Sequence, residues 1–102
     1  MQIETIDRIE VLPLGELFLG LESGGGNASY QYVYREAAGV YWDPERKGFR
    51  STVIREWTVP QWFAHIVETV QYTGITLILR KDIVWGNISH NDKTLVRAWM
   101  EK

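Results

Sequence analysis

The sequence of 102 residues contains no cysteine. This absence excludes disulfide bonds, thiolate nucleophiles and zinc sites built on cysteine, and it is compatible with a reducing compartment. The first residues, Met1 to Glu4, have neither the basic segment nor the apolar segment of a secretory signal. We therefore expect a cytoplasmic protein.

The chain also lacks an apolar run of the roughly 20 residues that a membrane-spanning helix needs. It lacks a basic excess as well, since its formal net charge is −2 and its first 22 residues hold five acidic side chains against one arginine. Nucleic-acid-binding domains normally carry a basic surface, so the charge argues against that class. The missing apolar run argues against a membrane protein. We interpret the basic cluster Arg46, Lys47, Arg50 and Arg55 as the solvated surface of a hairpin.

No catalytic or metal-binding signature is present. Ser89, His90 and Asp92 have the side chains of a hydrolytic triad, but they are crowded into one segment, and a triad requires groups that converge from rigid elements. The other histidine, His65, falls in a predicted helix as a half-exposed side chain. Spacings typical of zinc or calcium ligands do not occur. We expect no catalytic residue, no metal and no cofactor.

Aromatic side chains, by contrast, are plentiful: five tryptophans, five tyrosines and three phenylalanines. They are densest from Ser29 to Trp57. Here Tyr30, Tyr32 and Tyr34 alternate with other residues, and a period of two places all three on one face of a β-strand. The glycine-rich run before them, residues 23–27, leads into this strand and not into a helix, so it predicts a hairpin connection and not a phosphate loop.

The segment 29–57 is typical of a hairpin that turns at residues 43–48, with Pro44 early in the turn and Gly48 at its exit. If Trp42 faces Phe49 across the turn, the register brings opposite charges and aromatic rings together further along. The pairs it predicts are Glu36 with Arg55, Arg35 with Glu56, and Tyr34 with Trp57.

This register predicts an aromatic face with an embedded ion pair, and three interpretations of that face stay open: core, subunit interface or ligand pocket. Buried tyrosines each need a hydrogen-bond partner, whereas tyrosine is favoured at interfaces. A stacking platform for nucleic acid would need basic neighbours. The candidate ligand or interface residues are Tyr30, Tyr32, Tyr34, Glu36, Trp42, Arg55 and Trp57.

The remaining elements follow from local patterns. Strands are predicted at residues 2–12 and 17–21, and a central strand at Ile75–Leu79 that either continues to Trp85 or stops and resumes. A capping box at Thr58 and Gln61 opens an amphipathic helix over about residues 59–71. Residues 94–100 form either a strand after a hairpin turn, which the preceding segment favours, or a short helix capped by Asn91.

Together these patterns predict a single α+β domain spanning residues 1–102. A twisted antiparallel sheet of five to seven strands packs against one amphipathic helix, and a surplus of aromatic residues suggests a homodimer formed through the sheet. The favoured function is a non-enzymatic interaction module that binds a protein or a small apolar ligand. The alternative is a small-molecule-binding protein or small enzyme with a pocket between helix and sheet, around Glu36, Arg55, Tyr32, Tyr34 and Trp57.

Overall fold

The computed structural model describes residues 2–23, 39–53 and 57–101. Five strands and two helices are formed in this part of the chain. In chain order they are β1 (Gln2–Val11), β2 (Glu16–Leu21), β3 (Val40–Asp43), β4 (Gly48–Val53), α1 (Val59–Tyr72), β5 (Ile75–Gly86) and α2 (His90–Met100).

The strands form one sheet in the order β3-β4-β2-β1-β5. The predicted α+β class and strand number are confirmed, but the sheet is mixed, because β5 pairs in parallel with β1 while the other neighbours are antiparallel. The cause is the connection through α1. A helical crossover returns the chain to the end of the sheet where the preceding strand began. As a result β5 runs in the same direction as β4. Since β2 is antiparallel to both β4 and β1, this is also the direction of β1.

The hairpin between β3 and β4 has the predicted turn and the predicted register near the turn. Trp42 pairs with Phe49, and Asp43 pairs with Gly48. The more distant predicted pairs, which involve Tyr34, Arg35, Glu36, Arg55 and Glu56, lie outside the described residues.

Gly48 marks the closest approach between the hairpin and β2. A Cβ atom at this position would lie 2.2 Å from the carbonyl oxygen of Leu19 and 2.6 Å from the ring of Phe18. Any larger residue would push the two strands apart, so glycine is required here for packing between β4 and β2.

β5 is one strand from Ile75 to Gly86, which is one of the two alternatives that the sequence left open. It differs from the prediction in its position, because among the described strands it lies at an edge of the sheet and not in its centre. Its apolar run suggested burial on both faces, but only alternate residues such as Ile75 and Leu77 are buried, whereas Ile78 is 44% exposed.

α1 begins and packs as predicted. The Thr58 side chain accepts a hydrogen bond from the Gln61 backbone, and the Gln61 side chain accepts one from the Thr58 backbone. This reciprocal arrangement satisfies amide groups that the first turn leaves free. The apolar stripe then buries Phe63, Ile66, Val67 and Val70.

The C-terminal segment is a helix, so the preference for a strand was wrong, and so was Asn91 as its cap. Ser89 is the N-cap, and its hydroxyl accepts a hydrogen bond of 3.1 Å from the Asp92 backbone. The fully buried residue of α2 is Val96, whereas Leu95 is 47% exposed.

Both helices cover the same face of the sheet. The buried cluster contains residues of β1 to β4, of the first half of β5 and of both helices. α2 packs against α1 through an edge-on contact of Phe63 with Trp99. Fully buried members include Ile6, Ile9, Leu17, Leu19, Val40, Phe49, Phe63, Ile66, Val70 and Val96.

Candidate functional site

Two of the seven candidate site residues, Trp42 and Trp57, belong to the part of the chain that the structure describes. The other five, Tyr30, Tyr32, Tyr34, Glu36 and Arg55, lie outside the described residues. Their roles stay predictions.

Trp42 belongs to the core side of the sheet. Its ring meets the ring of Phe49 edge-on at 5.1 Å between centroids, and it packs against the buried cluster. Val40 and Phe49, predicted members of the same face, have no exposed surface. In the described part of the hairpin, the aromatic face is therefore part of the chain's own core.

Trp57 lies apart from this core, in an aromatic corner formed with Trp62 and His65 at the start of α1. The Trp57 ring lies 4.8 Å from the Trp62 ring and 5.0 Å from the imidazole of His65, measured between centroids. Trp57 is 42% exposed. An exposed indole supported by two further rings presents a flat apolar surface that can stack on a planar ligand or a partner side chain.

The Trp62 side chain adds a polar feature to this corner. Its indole Nε1 is buried and has no hydrogen-bond partner among the described residues. A buried donor without a partner is costly, and the few that occur in folded proteins call for an explanation. No sequence pattern marks this group, because Trp62 fits the apolar stripe of α1 like its neighbours.

A second cluster lies on the opposite face of the sheet, around Arg50. One guanidinium nitrogen lies 3.3 Å from the Asp43 carboxylate and 3.5 Å from the Glu16 carboxylate, and the guanidinium carbon lies 4.7 Å from the centre of the Tyr41 ring. Arg46 joins through Asp43 at 3.4 Å. Arg46 and Arg50 are thus engaged by acids, and they do not form a free basic patch.

The Arg50 cluster has the electrostatics of a partly desolvated ion-pair network. Burial raises the pKa of the Tyr41 phenol above its ordinary value of 10.0, against the attraction of the neighbouring Arg50 guanidinium. A shallow cavity of about 240 Å³ opens beside it, lined by Tyr41, Trp42, Asp43 and Arg46 among others. Two arginines and two acids, Asp43 and Glu45, line the cavity, so it has no marked preference for an anion.

A third charged cluster surrounds Arg80 where β5 leaves its regular pairing. The guanidinium lies 3.1 Å from the Asp82 carboxylate, 3.7 Å from that of Glu22 and 3.9 Å from that of Asp7. All four side chains are partly exposed to solvent, which screens the attraction between them. The cluster explains why a charged triplet interrupts an apolar strand, which the sequence pattern left open.

Ser89, His90 and Asp92 lie together at the start of α2. Ser89 caps the helix, and Asp92 stands in the first turn, where a negative charge is favoured by the helix dipole. Among the described residues, no group of three or more histidine, aspartate or glutamate side chains is arranged to hold a metal ion. In the same part of the chain, no helix has the length and apolar character to cross a bilayer.

The architecture defines the class: an α+β protein with a five-stranded mixed sheet and two helices on one face. The family model of the integron cassette protein Hfx_Cass5 matches residues 24–82, more than half of the sequence. The chain therefore belongs to the Hfx_Cass5 family of integron cassette proteins.

A solved structure, the integron cassette protein Hfx_Cass5 from the mobile metagenome of the North West Arm Sewage Outfall, is 25% identical in sequence. The alignment covers 100% of this chain and 99% of that one, with a TM-score of 0.42. No curated protein matches the sequence.

Proposed function

We propose that this chain is a non-enzymatic interaction module that acts as a homodimer assembled through its sheet. The observation that carries the proposal is the outer edge of β5. This strand is 12 residues long, and among the described strands none pairs with its outer side.

A long strand edge presents a row of unpaired amide and carbonyl groups, which is a template for pairing with another chain. Monomeric proteins blunt such edges with short strands or frequent charges. β5 has charges at residues 80–82, but on either side of them it exposes Ile78 and Val84, each at 44%, and Ile3 on the neighbouring strand adds a further exposed apolar side chain on the same face. Burial of this surface against a second copy would remove it from water.

The experiment is light scattering coupled to sizing chromatography over a range of protein concentrations. We expect the wild type to have twice the mass of one chain. Val84→Asp should shift it to the mass of one chain, because a carboxylate would be buried at the interface. Leu14→Asp is the matched control, since Leu14 is an exposed apolar residue in the turn before β2 and should leave the dimer intact. A wild type that stays monomeric at high concentration would overturn the proposal.

The tyrosines of the predicted aromatic face are tested in the same assay with Tyr32→Ala. If this face contributes to the dimer, the variant dissociates at higher protein concentration than the wild type. If the dissociation is unchanged while Val84→Asp is monomeric, the interface lies at β5 alone.

The aromatic corner favours a second candidate function, a small-molecule-binding protein with a pocket between helix and sheet around Glu36, Arg55, Tyr32, Tyr34 and Trp57. Its support is the exposed Trp57 ring beside the unpartnered Trp62 Nε1. Titration with the fluorescent probe 1-anilinonaphthalene-8-sulfonate tests it. Saturable binding that Trp57→Ala abolishes would support a pocket, and binding unchanged in that variant would exclude this site.

A further inference from the structure

The middle of β5 bows away from the rest of the sheet. From Ile6 to Arg8, β1 advances two residues, while β5 advances five from Leu79 to Val84. The extra residues have no place in the ladder with β1, so the segment 80–83 must bulge outward from it. Lys81 lies within this bulge and near the middle of β5.

Helix α2 does not close over this part of the strand. A cavity of about 290 Å³ separates the two, and Leu79 and Lys81 of β5 line it together with Arg97 and Met100 of α2. Among the described residues, no carboxylate pairs with Lys81 or Arg97. The edge of β5 is accessible here.

The sequence of β5 is complementary to itself about Lys81. Reading outward in both directions from this residue, the first three pairs of positions match in character. Arg80 and Asp82 have opposite charges, Leu79 and Ile83 are both partly buried on the helix side, and Ile78 and Val84 are both exposed on the open face to the same extent.

We propose that two copies pair their β5 strands antiparallel about a two-fold axis at Lys81. The inference rests on the proposed homodimer and specifies its interface. Each residue then faces the one equally far from Lys81 on the other copy, so Arg80 faces the second copy's Asp82 and Ile78 faces the second copy's Val84. A two-fold axis makes every such contact occur twice.

Neighbouring registers lack this match. An axis at Arg80 would place Ile78 opposite Asp82, and an axis at Asp82 would place Arg80 opposite Val84. A register in which every residue faces a position one further along would pair residues of the open face with residues of the helix side, because side chains alternate between the two faces of a sheet. The axis at Lys81 keeps apolar side chains together and pairs the charges, with the helices of both copies on one side of a continuous ten-stranded sheet.

The two copies of Lys81 meet at the axis, where like charges oppose each other. This repulsion makes the pairing weaker than the apolar matches alone would give. It also discourages the edge from pairing with unrelated strands, a role that lysine has at many sheet edges. Preference for a second copy therefore comes from the apolar and charge pairs on either side of the axis, and not from Lys81.

Engineered cysteines test the register directly, because the chain has none of its own. In Lys81→Cys the two thiols meet at the axis, where directly opposed residues are close enough for a disulfide. With oxidised glutathione as the electron acceptor, we expect a covalent dimer to form at least tenfold faster than in Ile78→Cys, whose thiols lie far apart in this register. Tyr72→Cys, at a 95% exposed position at the end of α1, gives the rate of random collision.

The double variant Ile78→Cys/Val84→Cys provides a second readout. Each of its thiols faces a thiol of the other copy, so it should cross-link although Ile78→Cys does not. Equal rates for Lys81→Cys and Tyr72→Cys would overturn the inferred register. If the wild type is nevertheless a dimer by light scattering, the homodimer proposal stands with a different interface, whereas a monomeric wild type defeats both.

Discussion

Asp43 shows how much one side chain can hold in place. Its Oδ1 accepts hydrogen bonds of 3.0 Å from the backbone amides of Glu45 and Arg46, and its Oδ2 lies within 3.4 Å of the Arg46 and Arg50 guanidinium groups. The carboxylate is almost fully buried. It therefore fixes the turn of the β3–β4 hairpin and anchors the charged cluster beyond it.

We expect Asp43→Ala to lower the free energy of unfolding by about 2–3 kcal/mol, because it removes charge-assisted hydrogen bonds and leaves Arg50 with fewer partners. Asp43→Asn keeps an oxygen for the two amides and loses the charge, so its cost should be about 1 kcal/mol. Urea denaturation followed by tryptophan fluorescence measures both. Equal losses would mean that the charge, and not the turn, accounts for the stabilisation.

Much of this residue's local role follows from the sequence alone. The Asp43-Pro44 pair followed by Gly48 predicts a turn, and the turn lies where expected. Arg50, which forms an ion pair with Asp43, also forms one with Glu16, a residue far away in the sequence. That contact depends on β4 lying beside β2, and no local pattern encodes which strand becomes the neighbour.

At the scale of elements, the two helices differ in how clearly their sequences define them. α1 has a capping box and a regular apolar stripe, and its predicted bounds agree with the observed ones to within a residue. α2 has a lone serine cap and one fully buried residue, Val96. A weak amphipathic pattern of this kind resembles a strand as closely as a helix, and only packing decides.

Ser89 should therefore matter more to α2 than its exposure indicates. We predict that Ser89→Ala lowers the free energy of unfolding by about 1 kcal/mol, since the Asp92 amide loses its acceptor, whereas Ser89→Asp preserves the cap. Thr94→Ala, in the middle of the same helix, should be neutral or slightly stabilising because its hydroxyl bonds back to the His90 carbonyl. A loss in Thr94→Ala as large as that in Ser89→Ala would contradict a specific role for the cap.

β5 shows the limit of element-level prediction. Continuous apolar runs are typical of strands buried on both faces, and this run suggested a central strand. In the structure its helix-side residues are buried, its other face exposes Ile78 and Val84, and its middle bulges at Arg80. An edge strand that keeps an apolar outer face is what the proposed dimer would use.

For the whole molecule, α2 completes the helical layer by packing against α1. The Trp99 ring meets Phe63 edge-on at 5.9 Å, and Phe63 is fully buried. Across the strand, Lys93 and Arg97 extend over the Trp85 ring at 5.9 and 5.5 Å. These contacts attach the last element of the chain to the common core.

Truncation of Trp99 should loosen this attachment. We expect Trp99→Ala to lower the free energy of unfolding by about 2–3 kcal/mol, less than for a fully buried tryptophan because part of the ring is exposed. Leu95→Ala, at a largely exposed position of the same helix, should cost less than about 1 kcal/mol. Thermal and urea unfolding of the two variants measure the difference, and similar losses would show that α2 contributes little through Trp99.

The sequence by itself determined the fold class, the hairpin turn at Asp43, the register of Trp42 with Phe49, and the start of α1. Each of these depends on residues close together in the chain, where turn chemistry, capping and periodicity act. Tertiary structure alone decided that β5 runs parallel to β1 at an edge, that residues 90–100 form a helix, and that Glu16 reaches Arg50. Those outcomes depend on which surfaces meet after the chain has crossed the sheet, and burial against distant partners outweighs local preference there.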